Sequence, residues 1–166
     1  MPDSGPCFED FLINVDPQYQ GFARQTHEQL LQNECKLKMT LAKNGYVVSY
    51  QYGKKKRVVM NFVFRKSGLV ARIYGDHAGQ YLDFLETLPV SMIKKIEKAP
   101  GCKRFENPPR CYEKCGGYVF TIKKTQYMKC RYNCFMFEVD DESIPFIQEF
   151  LEKEMEIRNS EFGIRN

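Results

Sequence analysis

A chain of 166 residues with 43% hydrophobic and 28% charged residues is long enough to bury a core of its own, and its composition is neither disordered nor fibrous. Its 25 Lys and Arg against 21 Asp and Glu leave a net charge of +4, which permits an anionic partner without demanding one. Even the apolar run Val58 to Phe64 is short, flanked by charge and far from the roughly 20 residues of a membrane helix, so no membrane partner is expected.

Met1 to Glu9 carries acids and a proline where a secretory leader needs a basic start and an apolar run, so a cytoplasmic protein is expected. Seven cysteines, an odd number, fit thiols or metal ligands in a reducing compartment better than a complete disulfide framework. One domain spanning 1–166 is expected, with residues 1–21 as an N-terminal arm in which Cys7 to Val15 reads as a short helix or an extended segment.

After Asp16-Pro17, the residues Phe22, Ala23, Thr26, Leu30 and Leu31 recur near helical spacing and predict a helix over Phe22 to Asn33. From Cys35 the period becomes two. Leu37, Met39 and Leu41 alternate with Lys36, Lys38 and Thr40, the pattern of a half-buried strand. Asn44-Gly45, a pair able to take positive φ, predicts a hairpin into a second strand, Tyr46 to Tyr52. The basic turn Lys54-Lys55-Lys56-Arg57 leads to a third strand, Val58 to Arg65, and Ser67-Gly68 to a fourth, Leu69 to Tyr74. Connections this short predict an antiparallel meander.

Tyr81 to Leu88 and Pro89 to Ala99 read as two short helices or one bent at Pro89, with Leu85, Leu88, Met92, Ile93 and Ile96 as the apolar stripe. Beyond Pro100-Gly101, Tyr118 to Lys123 and Tyr127 to Val139 alternate as two strands joined near Lys124-Thr125. The chain closes with a helix capped by Ser143, with Ile144, Ile147, Phe150, Leu151 and Met155 as its apolar stripe and Glu142, Glu149, Glu152, Glu154 and Glu156 on its solvated face. Residues 160–166 are expected to fray. The fold class is therefore α+β: an antiparallel sheet of about six strands, a four-stranded meander plus a cysteine-bearing hairpin, with helices packed on one face.

Five cysteines fall between Cys102 and Cys134. Cys111/Cys115 and Cys130/Cys134 form two C-x3-C pairs around the expected first strand of the hairpin, and four thiolates so arranged suit a tetrahedral zinc ion, with Cys102 as an alternative ligand. Lys129 and Arg131 beside the second pair would favour the thiolate. The competing reading is that these are buried thiols, which pack as small hydrophobes. A closed four-thiolate site would be structural, since both histidines, His27 and His77, lie far away in sequence.

Lys54, Lys55, Lys56 and Arg57 are the densest charge and a candidate anion-binding group. With Lys36, Lys38, Arg65, Arg72 and the rings of Tyr46, Tyr50, Tyr52 and Tyr74, they would make a surface for single-stranded nucleic acid. A solvated turn explains them as well. Asp76-His77, just after a strand and ahead of a helix, resembles an acid–base pair, but no nucleophile, phosphate loop or metalloprotease motif accompanies it.

The runs Gly68 to Tyr74, Leu88-Pro89-x-Ser91-Met92-Ile93 and Lys129-Cys130-Arg131-Tyr132-x-Cys134-Phe135 resemble those of uncharacterised small bacterial proteins, over about Cys35 to Phe150. The resemblance implies no activity and favours reading the five cysteines as one unit. The expected function is a small cytosolic binding or adaptor domain with a cysteine-held structural zinc. The alternatives are a thiol- or metal-dependent enzyme acting through Cys130 or Cys134, and single-strand binding through the basic, tyrosine-rich face.

Overall fold

The computed structural model describes residues 4–103 and 115–165. It is α+β, with a five-stranded antiparallel sheet of order β1-β2-β3-β4-β7 and a separate two-stranded sheet, β5-β6. The chain divides into two compact units, Met1–Ala71 with Glu138–Asp140 and Arg72–Phe137 with Asp141–Asn166.

In the first unit, residues expected as an arm form α1 (Phe8–Leu12), whose Phe8, Phe11 and Leu12 are buried. The second helix, α2 (Pro17–Gln32), begins five residues ahead of the expected start. The reason is local: Pro17 supplies a preset φ in the first turn, and the Asp16 carboxylate accepts the Gln18 N–H at 3.0 Å.

The meander follows as β1 (Lys36–Ala42), β2 (Gly45–Tyr52), β3 (Arg57–Arg65) and β4 (Gly68–Ile73). Ala42 pairs with Gly45, so Lys43-Asn44 fills the first turn and the hairpin sits one residue earlier than Asn44-Gly45 implied. Gly45 is the residue with positive φ, at 126°, and a Cβ there would meet the Phe64 ring at 3.0 Å. The register Leu37↔Tyr50 and Val48↔Phe62 puts these side chains on one face. That face receives the helices: Phe11 stacks on Phe62 at 5.5 Å between centroids, and His27 Nδ1 lies 2.9 Å from the Tyr50 hydroxyl.

In the second unit, a 3-10 turn (Ala78–Gln80), α3 (Leu82–Leu85) and α4 (Val90–Lys98) are separate, and Pro89 is the residue before α4 rather than its first. The expected long strand Tyr127 to Val139 is broken. It becomes β6 (Thr125–Lys129), paired with β5 (Tyr118–Ile122), then a tight turn and β7 (Met136–Glu138). Hence the hairpin does not extend the meander; β7 does, with the Ile73 N–H bonded to the Phe135 carbonyl at 2.8 Å.

The last helix, α5 (Ile144–Arg165), runs past Ser160, where its apolar stripe ends. Phe150 packs edge-on against Phe135, Phe84 and Tyr81. Gly75 passes so close that a Cβ would meet Phe150 at 2.9 Å and Phe135 at 3.0 Å. No described helix is long and apolar enough to cross a membrane.

Candidate functional site

Cys111 lies outside the described residues. Cys115 is buried, Cys130 half-buried, and Cys134 has no exposed surface. Cys130 and Cys134 are not same-face positions of a strand: they stand one helical turn apart, the Cys134 N–H reaching the Cys130 carbonyl at 2.9 Å. Cys102 is buried and lies along β6, its N–H 3.4 Å from the Met128 carbonyl. Among the described residues, no three Cys, His, Asp or Glu side chains converge as a metal ion would need.

The cations expected to activate these thiols are engaged elsewhere. Lys129 Nζ donates to the carbonyls of Glu97 and Ala99, both at 2.8 Å, and so satisfies the end of α4. Arg131 turns toward Asp76. Burial pushes the Cys134 thiol well up, against the smaller pull of Lys129, so Cys134 is no low-pKa nucleophile. The α4 end is tied to the hairpin by backbone bonding: Gly101 bridges Lys129, and the Cys130 N–H meets the Pro100 carbonyl at 3.0 Å.

Asp76-His77 opens onto a buried ionic network. The Asp76 carboxylate accepts from the Tyr118 hydroxyl at 2.8 Å, from Arg131 Nε at 2.8 Å and from Arg158 Nη2 at 3.3 Å. Burial alone would raise this carboxyl, but the Arg131 bond and charge, the Arg158 charge and Tyr118 together bring it down to about 2. Arg131 also lies over the Tyr74 ring, 4.3 Å from its centroid.

Glu154 is the second hub, and it is fully buried, not on the solvated face of the last helix. It accepts from the His77 N–H at 3.0 Å, His77 Nδ1 at 2.7 Å, the Tyr81 hydroxyl at 2.6 Å and Arg158 Nε at 2.7 Å. His77 Nε2 meets Glu161 at 3.0 Å. The Glu154 bond raises the His77 pKa, partial burial opposes it, and the charges of Glu154 and Glu161 add to the rise, so the ring favours the imidazolium. His77 is thus held by two carboxylates and is not a solvated loop histidine. A signal for this was present: Glu154 and Arg158 continue the stripe of Ile147, Phe150, Leu151 and Met155, and polar residues on an apolar stripe are buried together when they pair. Asp76 meets donors on three sides and Glu154 on four, and the network holds the Asp76–Tyr81 segment to α5 and the hairpin.

The meander carries a different feature. From Cys35 to Gly75 there is no Asp or Glu, yet the segment holds Lys36, Lys38, Lys43, Lys54, Lys55, Lys56, Arg57, Arg65, Lys66 and Arg72. With these ten of the 25 cations removed, the rest of the chain has fifteen cations against all 21 acids. All ten but the half-buried Arg72 are exposed. Since Lys36 pairs with Gln51, it stands at the same end of the strands as Lys54, Lys55, Lys56 and Arg57; Lys43 and Lys66 occupy turns at the other end, where Arg65 closes β3. In register, Lys36 and Lys38 take the face opposite Leu37 and Tyr50, away from α1 and α2. The tyrosines do not join them: Tyr50 and Tyr74 are buried, and Tyr46 and Tyr52 are half-buried. Compared with protein-family models, curated proteins and solved structures, the chain finds no match.

Proposed function

We propose that this chain is a binding domain for a polyanionic partner, engaged through the meander of β1 to β4. The observation that carries the reading is the segregation of charge: ten cations and no acid over Cys35 to Gly75, in a protein whose remaining residues are net acidic. Lysines on an edge strand also guard against edge-to-edge pairing, which accounts for Lys36 and Lys38 on β1. It does not account for cations in all three turns, nor for the exclusion of every carboxylate. A surface without acids repels no phosphate or sulfate and concentrates anions by its summed field. A cytosolic setting goes with this reading, since seven cysteines leave at least one thiol unpaired.

Retention on a heparin column tests it. The wild-type chain should elute well above the salt at which a Lys54→Gln/Lys55→Gln/Lys56→Gln variant elutes, and wild-type flow-through at low salt would end the reading.

A second reading is a structural zinc on Cys111, Cys115, Cys130 and Cys134. What favours it is the single helical turn that holds Cys130 and Cys134, a spacing that presents two sulfurs to the same side. Against it stands the lack of three converging ligands among the described residues. Elemental analysis of chain purified without chelator decides it: close to one zinc per chain is expected, and folded protein without zinc removes it.

A further inference from the structure

Given that reading of the meander, we infer that the polyanion is a nucleic-acid duplex gripped by its phosphates, and not a single strand. Single-strand sites combine a basic track with rings on which bases stack. Here the rings are mostly drawn in. Tyr50 and Phe62 have no exposed surface, Tyr46, Tyr52 and Phe64 are half-buried, Phe64 against Gly45 and Phe11, and no fully exposed residue between Cys35 and Gly75 is aromatic. On β1, between the two basic clusters, the exposed Thr40 stands beside Lys36 and Lys38, groups that meet phosphate oxygens but cannot stack.

The density of charge agrees. The seven residues of β1 extend about 20 Å. A duplex displays one charge per about 1.7 Å of axis, hence on the order of twelve over that length, while a single strand displays about half as many. Nine exposed cations over this span match the denser polymer. Seven of the nine are lysines, compact charges on flexible stems that follow a backbone without reading base edges, so binding should be indifferent to sequence.

The experiment is fluorescence anisotropy with the full chain and labelled probes of equal length: a DNA duplex of about 20 base pairs, an RNA duplex, and each single strand, with heparin as competitor, from 50 to 200 mM salt. The expected result is at least about fivefold tighter binding of one or both duplexes than of their single strands, with affinity falling about a thousandfold or more across that salt range if six or more phosphates are met. The Lys54→Gln/Lys55→Gln/Lys56→Gln variant should flatten the log–log slope by about 2.7, three contacts' worth. Single strands bound as tightly as duplexes, or an unchanged slope in the variant, overturn the duplex inference. Binding of heparin without either nucleic acid overturns it too, but leaves the polyanion reading standing. No binding of any probe at 50 mM salt overturns both.

Discussion

Glu154→Gln should unfold this protein more readily than its one-atom change implies. The carboxylate is fully buried and accepts four hydrogen bonds between 2.6 and 3.0 Å, two at each oxygen. A glutamine oxygen in place of Oε1 keeps the His77 N–H and the Tyr81 hydroxyl. The amide nitrogen in place of Oε2 then faces Arg158 Nε and His77 Nδ1, setting donor against donor and removing the negative charge that balances Arg158. Removing one partner of a buried ion pair costs about 3–5 kcal/mol, because the other charge stays buried. For a domain whose total stability is about 5–15 kcal/mol, that is a large share. Urea unfolding at pH 7 measures the loss, and NMR titration of His77 should show its pKa falling as its largest stabilising bond disappears. A loss below about 1 kcal/mol with His77 unmoved would refute the view of Glu154 as a hub.

Four further outcomes follow from the structure. Asp76, held at about 2 against an ordinary 3.8, contributes about 2 kcal/mol that is fully present above pH 4 and lost as pH falls through 2, so acid unfolding of Asp76→Asn should lack that limb. His77 has the opposite sign: its pKa is raised, so its contribution is complete below about 6.5 and is lost as pH rises through the folded value. Glu161→Gln should shift that alkaline decline to lower pH in urea titrations, and an unshifted decline would remove Glu161 from the network. Lys123 and Lys124 both hold positive φ, 47° and 69°, in the β5–β6 turn, a geometry that prefers Asn-Gly. Lys123→Asn/Lys124→Gly should therefore raise stability by about 1–2 kcal/mol in thermal melts, and a lowered Tm would show that turn strain does not control this hairpin. Gly75→Ala should cost about 1–3 kcal/mol through its contact with the rings of Phe150 and Phe135, and Phe150→Leu beside it should restore part of the loss.

The two sites differ in how far they can be read along the chain. The basic meander is a matter of counting, because charge composition over consecutive residues does not depend on packing; the exclusion of acids from Cys35 to Gly75 is visible in the bare sequence. What could not be read is which rings join it. Tyr46, Tyr50 and Tyr52 look alike on an alternating strand, but α2 covers Tyr50 and engages its hydroxyl through His27. The cysteine segment misleads for a related reason. The alternation of Tyr127 to Val139 resembles one strand, yet the chain turns at Arg131 because that guanidinium is drawn in to Asp76, 55 positions away.

By itself the sequence determined the local architecture. From Cys35 to Tyr74, period-two runs made strands and short polar turns forced them antiparallel, through interactions among neighbours in the chain. Only the tertiary structure decided that β7 and not the cysteine hairpin completes the sheet, that Glu154 is buried while Glu149, Glu152 and Glu156 are not, and that His77 is held between two carboxylates. Those outcomes depend on partners 42 to 84 positions apart, whose mutual desolvation is favourable only once the fold has brought them together.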